Sequence, residues 1–225
     1  MTDTLTELCA TQRALLLPEI LSLVLEWVNE DVNSSAPDLA RCCRVNKFWF
    51  QESVRFLWRN PSVPSAGYKS LPQVLGNLEL ETRQMYANYI EQCTMHDYRE
   101  GHRFIVDKPL EKLEFPNLKY MKLMVDGYWW NQLPRLGKNT CKKLDLDPRF
   151  DVYPDTYGVT QDTLRKILDQ IVDDFPQLES LSFWDRCLAY PGDLENFARR
   201  MPNLKHFEHS KVLVWVHHRE PDSTS

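Results

Sequence analysis

Apolar residues crowd one helical stretch near the start of the chain, "LLPEILSLVLEWV", which ends at Val28. At about 100° per residue, Ile20, Leu21, Leu23, Val24, Leu25, Trp27 and Val28 spread over an arc of roughly 200°. Glu19, Ser22 and Glu26 take the remaining side. A surface helix needs an apolar stripe of only about 100° or somewhat more to seat on its own core. The surplus asks for a second cover. Pro18 suits a first helical turn, and the pattern predicts a helix from Pro18 to about Val28. The polar stretch "NEDVNSSAPD" follows as a loop,. Asp38 is expected to cap a second helix, "LARCCRVN",. A third apolar run, "FWFQESVRFLW", ends at Asn60-Pro61,. The Pro- and Ser-rich residues 61–72 read as a junction,. From 71 to 101 the spacing predicts helix again, with Leu78, Met85, Tyr89 and Cys93 on one face,. Tyr86, Tyr89 and Tyr98 read as packing residues rather than a platform for stacked bases.

The second half repeats a different pattern. "FPNLKYMKL" starts at Phe115, "FPQLESLSF" at Phe175 and "MPNLKHFEH" at Met201, with a weaker copy, "NTCKKLDLD", at Asn139. Aligned, they place Leu118, Met121 and Leu123 with Cys141, Leu144 and Leu146, and with Leu178, Leu181 and Phe183. The last copy keeps Leu204 and Phe207 but has His209 in the third slot. Period-two alternation after a proline turn predicts a strand in each. Helical spacing fills gaps: Leu164, Ile167, Leu168, Ile171 and Val172 share one face, as do Leu194, Phe197 and Met201,. Strand-then-helix units at 20 to 40 residues describe a solenoid whose units bury their apolar faces only against each other. The alternating positions then point to its concave face: Tyr120, Lys122 and Met124; Lys143, Asp145 and Asp147; Ser180, Ser182 and Trp184; His206, Glu208 and Ser210,. The strip is mixed in charge, which suits a protein or peptide better than phosphate. Trp129 and Trp130, in "DGYWWNQ" after the first strand, are added as candidates for binding.

Leu17-Pro18-x-Ile20-Leu21, Val24-Leu25, "DLARCCRVNKFW" and Leu57-Trp58 together resemble an F-box. The resemblance covers about 45 residues, with Leu39, Cys42, Val45, Lys47 and Trp49 in the family's marked places; the loop from Val28 to Pro37 is longer and more acidic than in a minimal F-box. The second half resembles the irregular leucine-rich repeats that follow many F-boxes. The expected fold is therefore α+β to α/β: a three-helix F-box over 1–60, a helical connection over 61–101, a short leucine-rich-repeat solenoid over 102–216 and a polar tail over 217–225. The resemblance implies a substrate adaptor of a Skp-cullin-F-box type ubiquitin ligase. Leu17, Pro18, Ile20, Leu21, Val24, Leu25, Leu39, Cys42, Val45, Phe48 and Trp49 are the expected contacts to the Skp-family adaptor, which bridges to a cullin scaffold. The repeats would hold a protein substrate. The alternatives are a repeat scaffold with no ubiquitin-ligase role, a trio covered by the repeats, and a small hydrolase.

Composition narrows the field. A net charge of -5 argues against a protein that coats nucleic acid,. No apolar run approaches the roughly 18 residues of a membrane span, and Met1 to Thr11 carries no basic residue of a presequence,. Cytoplasm or nucleus is the expected compartment, where Cys9, Cys42, Cys43, Cys93, Cys141 and Cys187 are expected as free thiols,. Glycine-rich phosphate loops and a G-x-S-x-G elbow are missing,. His206-x-x-His209 and His217-His218 lack a third zinc ligand,. The acids of "DLDPRFDVYPD" lack the glycine and final glutamate of a calcium loop,. Neither a metal nor a cofactor is expected, and no catalytic residue is assigned.

Overall fold

Three helices with a shared apolar seam organise the amino-terminal part of the chain. The computed structural model describes residues 9–30, 35–61, 71–96, 110, 112–126, 133, 136–149, 161–183, 187–189, 191–209 and 212–214. The chain divides into two compact units, Met1–Cys93 with Pro109–Asn117, and Thr94–Lys108 with Leu118–Ser225. Both helix and parallel sheet are present, so the fold is mixed α/β. Among the described residues no helix is long and apolar enough to cross a membrane.

In the first unit a short helix, α1 (Ala10–Ala14), leads into α2 (Pro18–Glu30), α3 (Ser35–Cys42) and α4 (Lys47–Arg59). Leu21, Leu25 and Leu39 form the fully buried centre of this trio, and Val28, Cys42, Phe48, Trp49, Phe56 and Leu57 pack around them. Asn46 caps α4, its side-chain oxygen accepting from the Trp49 N–H at 3.0 Å,. Asp38 does not cap α3. That helix starts four residues earlier than its apolar pattern suggests, and Asp38 lies inside its first turn, paired with Arg41.

Two short helices follow, α5 (Leu71–Gly76) and α6 (Leu80–Ala87), then a strand, β1 (Gln92–His96). The expected continuous helix is thus corrected. The chain turns after Gly76, where Arg83 donates to the Leu78 and Gly76 carbonyls. It turns again at Asn88–Ile90, and beyond that Cys93 and Met95 are buried at period two. Tyr86 is a packing residue, its ring stacked 4.0 Å from that of Trp58. Tyr98 lies outside the described residues.

The second unit contains β2 (Tyr120–Asp126), β3 (Lys143–Arg149), α7 (Gln161–Asp174), β4 (Ser180–Phe183), β5 (Cys187–Ala189), α8 (Pro191–Arg200), β6 (His206–His209) and β7 (Val212–Val214). The larger sheet runs β1-β2-β3-β4-β6, and β5 pairs with β7 separately. β2, β3, β4 and β6 are parallel, with Tyr120, Lys143, Ser180 and His206 in one register and Met121, Leu144, Leu181 and Phe207 in the next. This is the alignment that the repeated sequences predict. Leu118, Met121, Leu123, Cys141, Leu144, Leu146, Leu178, Leu181 and Phe183 are all buried. α7 adds Leu164, Ile167, Leu168 and Ile171, and α8 adds Phe197. Burial pushes the Cys141 thiol up to about 12, and it fills the core as a neutral group,. Cys9, Cys42, Cys43, Cys93 and Cys141 are free thiols.

The residue before each strand joins one rung to the next. The Lys119 carbonyl accepts from the N–H groups of Lys142 and Lys143, the Lys142 carbonyl from Glu179 and Ser180, and the Glu179 carbonyl from Lys205 and His206. The asparagine of the recurring P-N-L-K also reaches back, Asn203 donating to the Pro176 carbonyl at 3.0 Å. Side chains repeat the link: the Glu179 carboxylate takes Lys142 at 2.8 Å and Lys205 at 2.7 Å. Those two ammonium groups hold the Glu179 carboxyl at about 2, below its ordinary 4.5. A depressed folded value favours the fold above the unfolded pKa, and that contribution is lost as pH falls through the folded one. Glu179→Gln is therefore expected to lower the urea midpoint at neutral pH. The gap to the native chain should narrow below pH 4.5 and close near pH 2. Because the pairs are solvent-accessible, added salt should shrink it. A gap that widens in acid would contradict the pairing.

Gly137 turns the chain into β3 with φ of +60°. Its carbonyl accepts from Thr140 and Cys141, and an added Cβ would stand 2.9 Å from Cδ2 of the buried Leu118. Gly137→Ala is expected to cost about 1–3 kcal/mol through the left-handed backbone, with that overlap added. Gly192, in α8, has nothing within 4 Å of its Cβ position. Gly192→Ala should instead stabilise by about 0.4–1 kcal/mol. Paired thermal melts check both signs.

Candidate functional site

Each unit presents a face whose residues the core does not consume. On the first, the structure divides the apolar arc of α2 in two. Taking Ile20 as zero, Leu21, Leu25 and Val28 lie at about 80–140° and pack in the trio's interior. Leu23, Trp27 and Ile20 lie at about -60° to 0° and face solvent, Leu23 with 63% and Trp27 with 74% of their surface exposed. Leu16 and Leu17, in the turn between α1 and α2, are exposed as well. The spacing Ile20, Leu23, Trp27 is that of neighbours along one side of α2. Val45, in the turn between α3 and α4, and Phe50, on α4, are also exposed.

Of the expected adaptor contacts, Leu17, Pro18, Ile20 and Val45 are open to solvent, and Val24, Cys42, Phe48 and Trp49 are half-buried. Leu21, Leu25 and Leu39 are not available to a partner in this fold. They are at most 1% exposed, because the three helices meet at these positions. Leu16, Leu23 and Trp27 were missing from the expected contacts. The signal that finds them is the width of the arc: one edge can reach the internal core, so the other cannot.

On the second unit, the candidates of the concave strip share one face of β2, β3, β4 and β6. Lys122, Asp145, Ser182 and Glu208 lie in one register across the four strands. Lys143, His206 and Glu208 are exposed, while Tyr120, Lys122 and Asp147 are half-buried. Met124, Asp145 and Ser182 correct the expectation of an open strip, because they are buried. The Tyr120 hydroxyl donates to Asp145 Oδ2 at 2.7 Å. Lys122 pairs with Asp147 at 3.3 Å, and the Lys143 ammonium lies 5.2 Å from the centre of the Tyr120 ring. Asp145 Oδ1 is buried and has no hydrogen-bond partner among the described residues. Trp129, Trp130, Trp184 and Ser210 lie outside the described residues. Among the described residues no group of three His, Cys, Asp or Glu side chains is placed to hold a metal ion.

The thiols near the first face are poor nucleophile candidates. Burial raises the Cys42 thiol above its ordinary value, with the Asp38 charge adding to it, and burial likewise raises Cys43,. The first face offers apolar area on a helix, and the second offers fixed charges and hydroxyls on a sheet. Both are means of holding another molecule. No family model, curated protein or solved structure matches the chain.

Proposed function

We propose that the chain is a non-catalytic adaptor that brings a protein substrate to a Skp-cullin-F-box type ubiquitin ligase, in the cytoplasm or nucleus. The observation that carries this reading is the outward row Ile20, Leu23 and Trp27, with Leu16 and Leu17 in the turn just before it, on a helix whose other edge fills the trio's core. Isolated exposed apolar residues are ordinary, but large side chains lined along one helix side mark an interaction site. Trp is also the residue most enriched at energetic centres of interfaces. The Leu-Pro opening of α2 and the trio itself fit an F-box and hence the Skp-family adaptor as occupant. In the second unit, parallel strands in sequence order, each entered through a proline or asparagine turn, fit irregular leucine-rich repeats. Their polar face would receive the target. The mechanism is proximity: one chain joining both partners raises the local concentration of target lysines near the ubiquitin-charged enzyme.

The test is reconstitution. The purified full chain, mixed with a purified Skp-family adaptor and passed over a sizing column, should co-elute with it as a stoichiometric complex and then recruit the cullin. Separate elution at micromolar concentrations rejects the ligase role. Recovery of a partner on the sheet face alone would then favour the scaffold reading.

A further inference from the structure

We infer that the inner sheet face of the second unit grips a cationic side chain, an arginine or lysine of the protein target, through Asp145. This deepens the adaptor reading and rests on it for the identity of the occupant as a protein.

The starting point is an unused acceptor. Asp145 is 4% exposed, and its two carboxylate oxygens differ. Oδ2 accepts from the Tyr120 hydroxyl at 2.7 Å, which fixes the side-chain rotamer. Oδ1 is buried and, among the described residues, accepts from nothing. Buried polar atoms in native proteins are nearly always hydrogen-bonded, and an exception points to a missing donor. An ionised carboxylate can only accept, so the missing group is an N–H or O–H donor.

The surroundings select a positive one. In register with Asp145 stand Lys122 on β2, Ser182 on β4 and, one strand further, Glu208 on β6. The strand spacing of about 4.8 Å puts Asp145 and Glu208 about 10 Å apart at the backbone, with the Ser182 hydroxyl between them. Lys122 is already paired with Asp147, and Lys143 lies over the Tyr120 ring. Glu208 is exposed and has no ion pair among the described residues. From the Tyr120 register to the Asp147 register the face has three carboxylates (Asp145, Asp147 and Glu208) against two lysines, which leaves negative charge at the Asp145–Ser182–Glu208 end. A guanidinium or ammonium group supplies several N–H donors and a balancing charge. Tyr120 already orients Asp145, so little ordering is left for binding to impose.

The experiment uses the isotope-labelled full chain and three blocked tripeptides, Gly-Arg-Gly, Gly-Lys-Gly and Gly-citrulline-Gly. Citrulline keeps the shape of arginine and removes the charge. Arginine or lysine peptide should give saturable amide shifts at Asp145, Ser182 and Glu208 in the millimolar range, and citrulline should not. Asp145→Asn retains an acceptor for Tyr120 and should weaken the charged peptide at least about tenfold. Glu208→Gln, at an exposed position that leaves the fold alone, should weaken it several-fold and decides the matter should the first variant fail to fold. Equal response to arginine and citrulline, or native affinity in the folded variants, overturns the inference and leaves a buried water as the partner of Oδ1. The titration involves neither the Skp-family adaptor nor a cullin. Loss of co-elution on the sizing column and loss of peptide binding are therefore separate failures.

Discussion

Replacing Ile20 and Trp27 together by glutamate is expected to abolish recovery of the Skp-family adaptor while the trio stays folded. Both residues lie on the solvent edge of α2, Trp27 with 74% of its surface exposed, so the free chain loses little when they change,. In a complex the same positions would be desolvated, and each new carboxylate would be buried without a partner. Loss of interface anchors costs about 2–4 kcal/mol each, and a combined loss near 4 kcal/mol is roughly a thousandfold in affinity. Leu17→Ala with Pro18→Ala should act in the same direction. Leu21→Ala is the control for stability: it opens a cavity in the trio's interior, at an expected cost of about 2–5 kcal/mol. The comparison is a far-ultraviolet melt beside the sizing column. The glutamate pair should melt as the native chain does yet elute alone, whereas Leu21→Ala should melt earlier. Native co-elution of the glutamate pair would mean that this edge of α2 is not the adaptor's seat.

Phe175→Ala is expected to destabilise the second unit by about 3–5 kcal/mol, the usual range for emptying a fully buried phenylalanine site. Phe175 is 0% exposed. It sits just past the last turn of α7, its N–H donating to the Ile171 carbonyl and its own carbonyl accepting from Leu178. It therefore joins the helix to the turn that starts β4, and a cavity there touches both. Domains are held by only about 5–15 kcal/mol in total, so this change is a large fraction of the whole. Urea unfolding of the variant should show a midpoint well below that of the native chain. A shift worth under about 1 kcal/mol would mean that neighbouring side chains collapse into the space.

The repeat register was legible in the sequence because its signal is local. Alternation in four short stretches, each aligned on its entry turn, fixes which residues face inward, and Leu144, Leu181 and Phe207 pair as that alignment requires. The three helices of the trio were legible for the same reason. Gln92–His96 was not, because the four-residue step from Tyr89 to Cys93 mimics a helix face across the turn at Asn88–Ile90. Burial on the polar side of the sheet was also hidden. Whether Asp145 is open depends on where the Tyr120 side chain, on another strand, comes to rest, and no window of sequence contains both. On α2 the arc showed a surplus, but only the placement of Leu39 against Leu21 and Leu25 decided which edge was surplus.

The carbonyls of Lys119, Lys142 and Glu179 each bind two N–H groups of the following rung. Each of these strands is thus a template for the next. If these strands are the repeats of a solenoid, as proposed, cooperativity is short-ranged, and a defect weakens its neighbours before it is felt elsewhere. The β6 end, where His209 stands in a slot that is apolar in the other copies and Phe207 is only half-buried, is the natural place for fraying to begin. A target that bridges Asp145 and Glu208 would act as a clasp across that loose end, tightening the array as it is held.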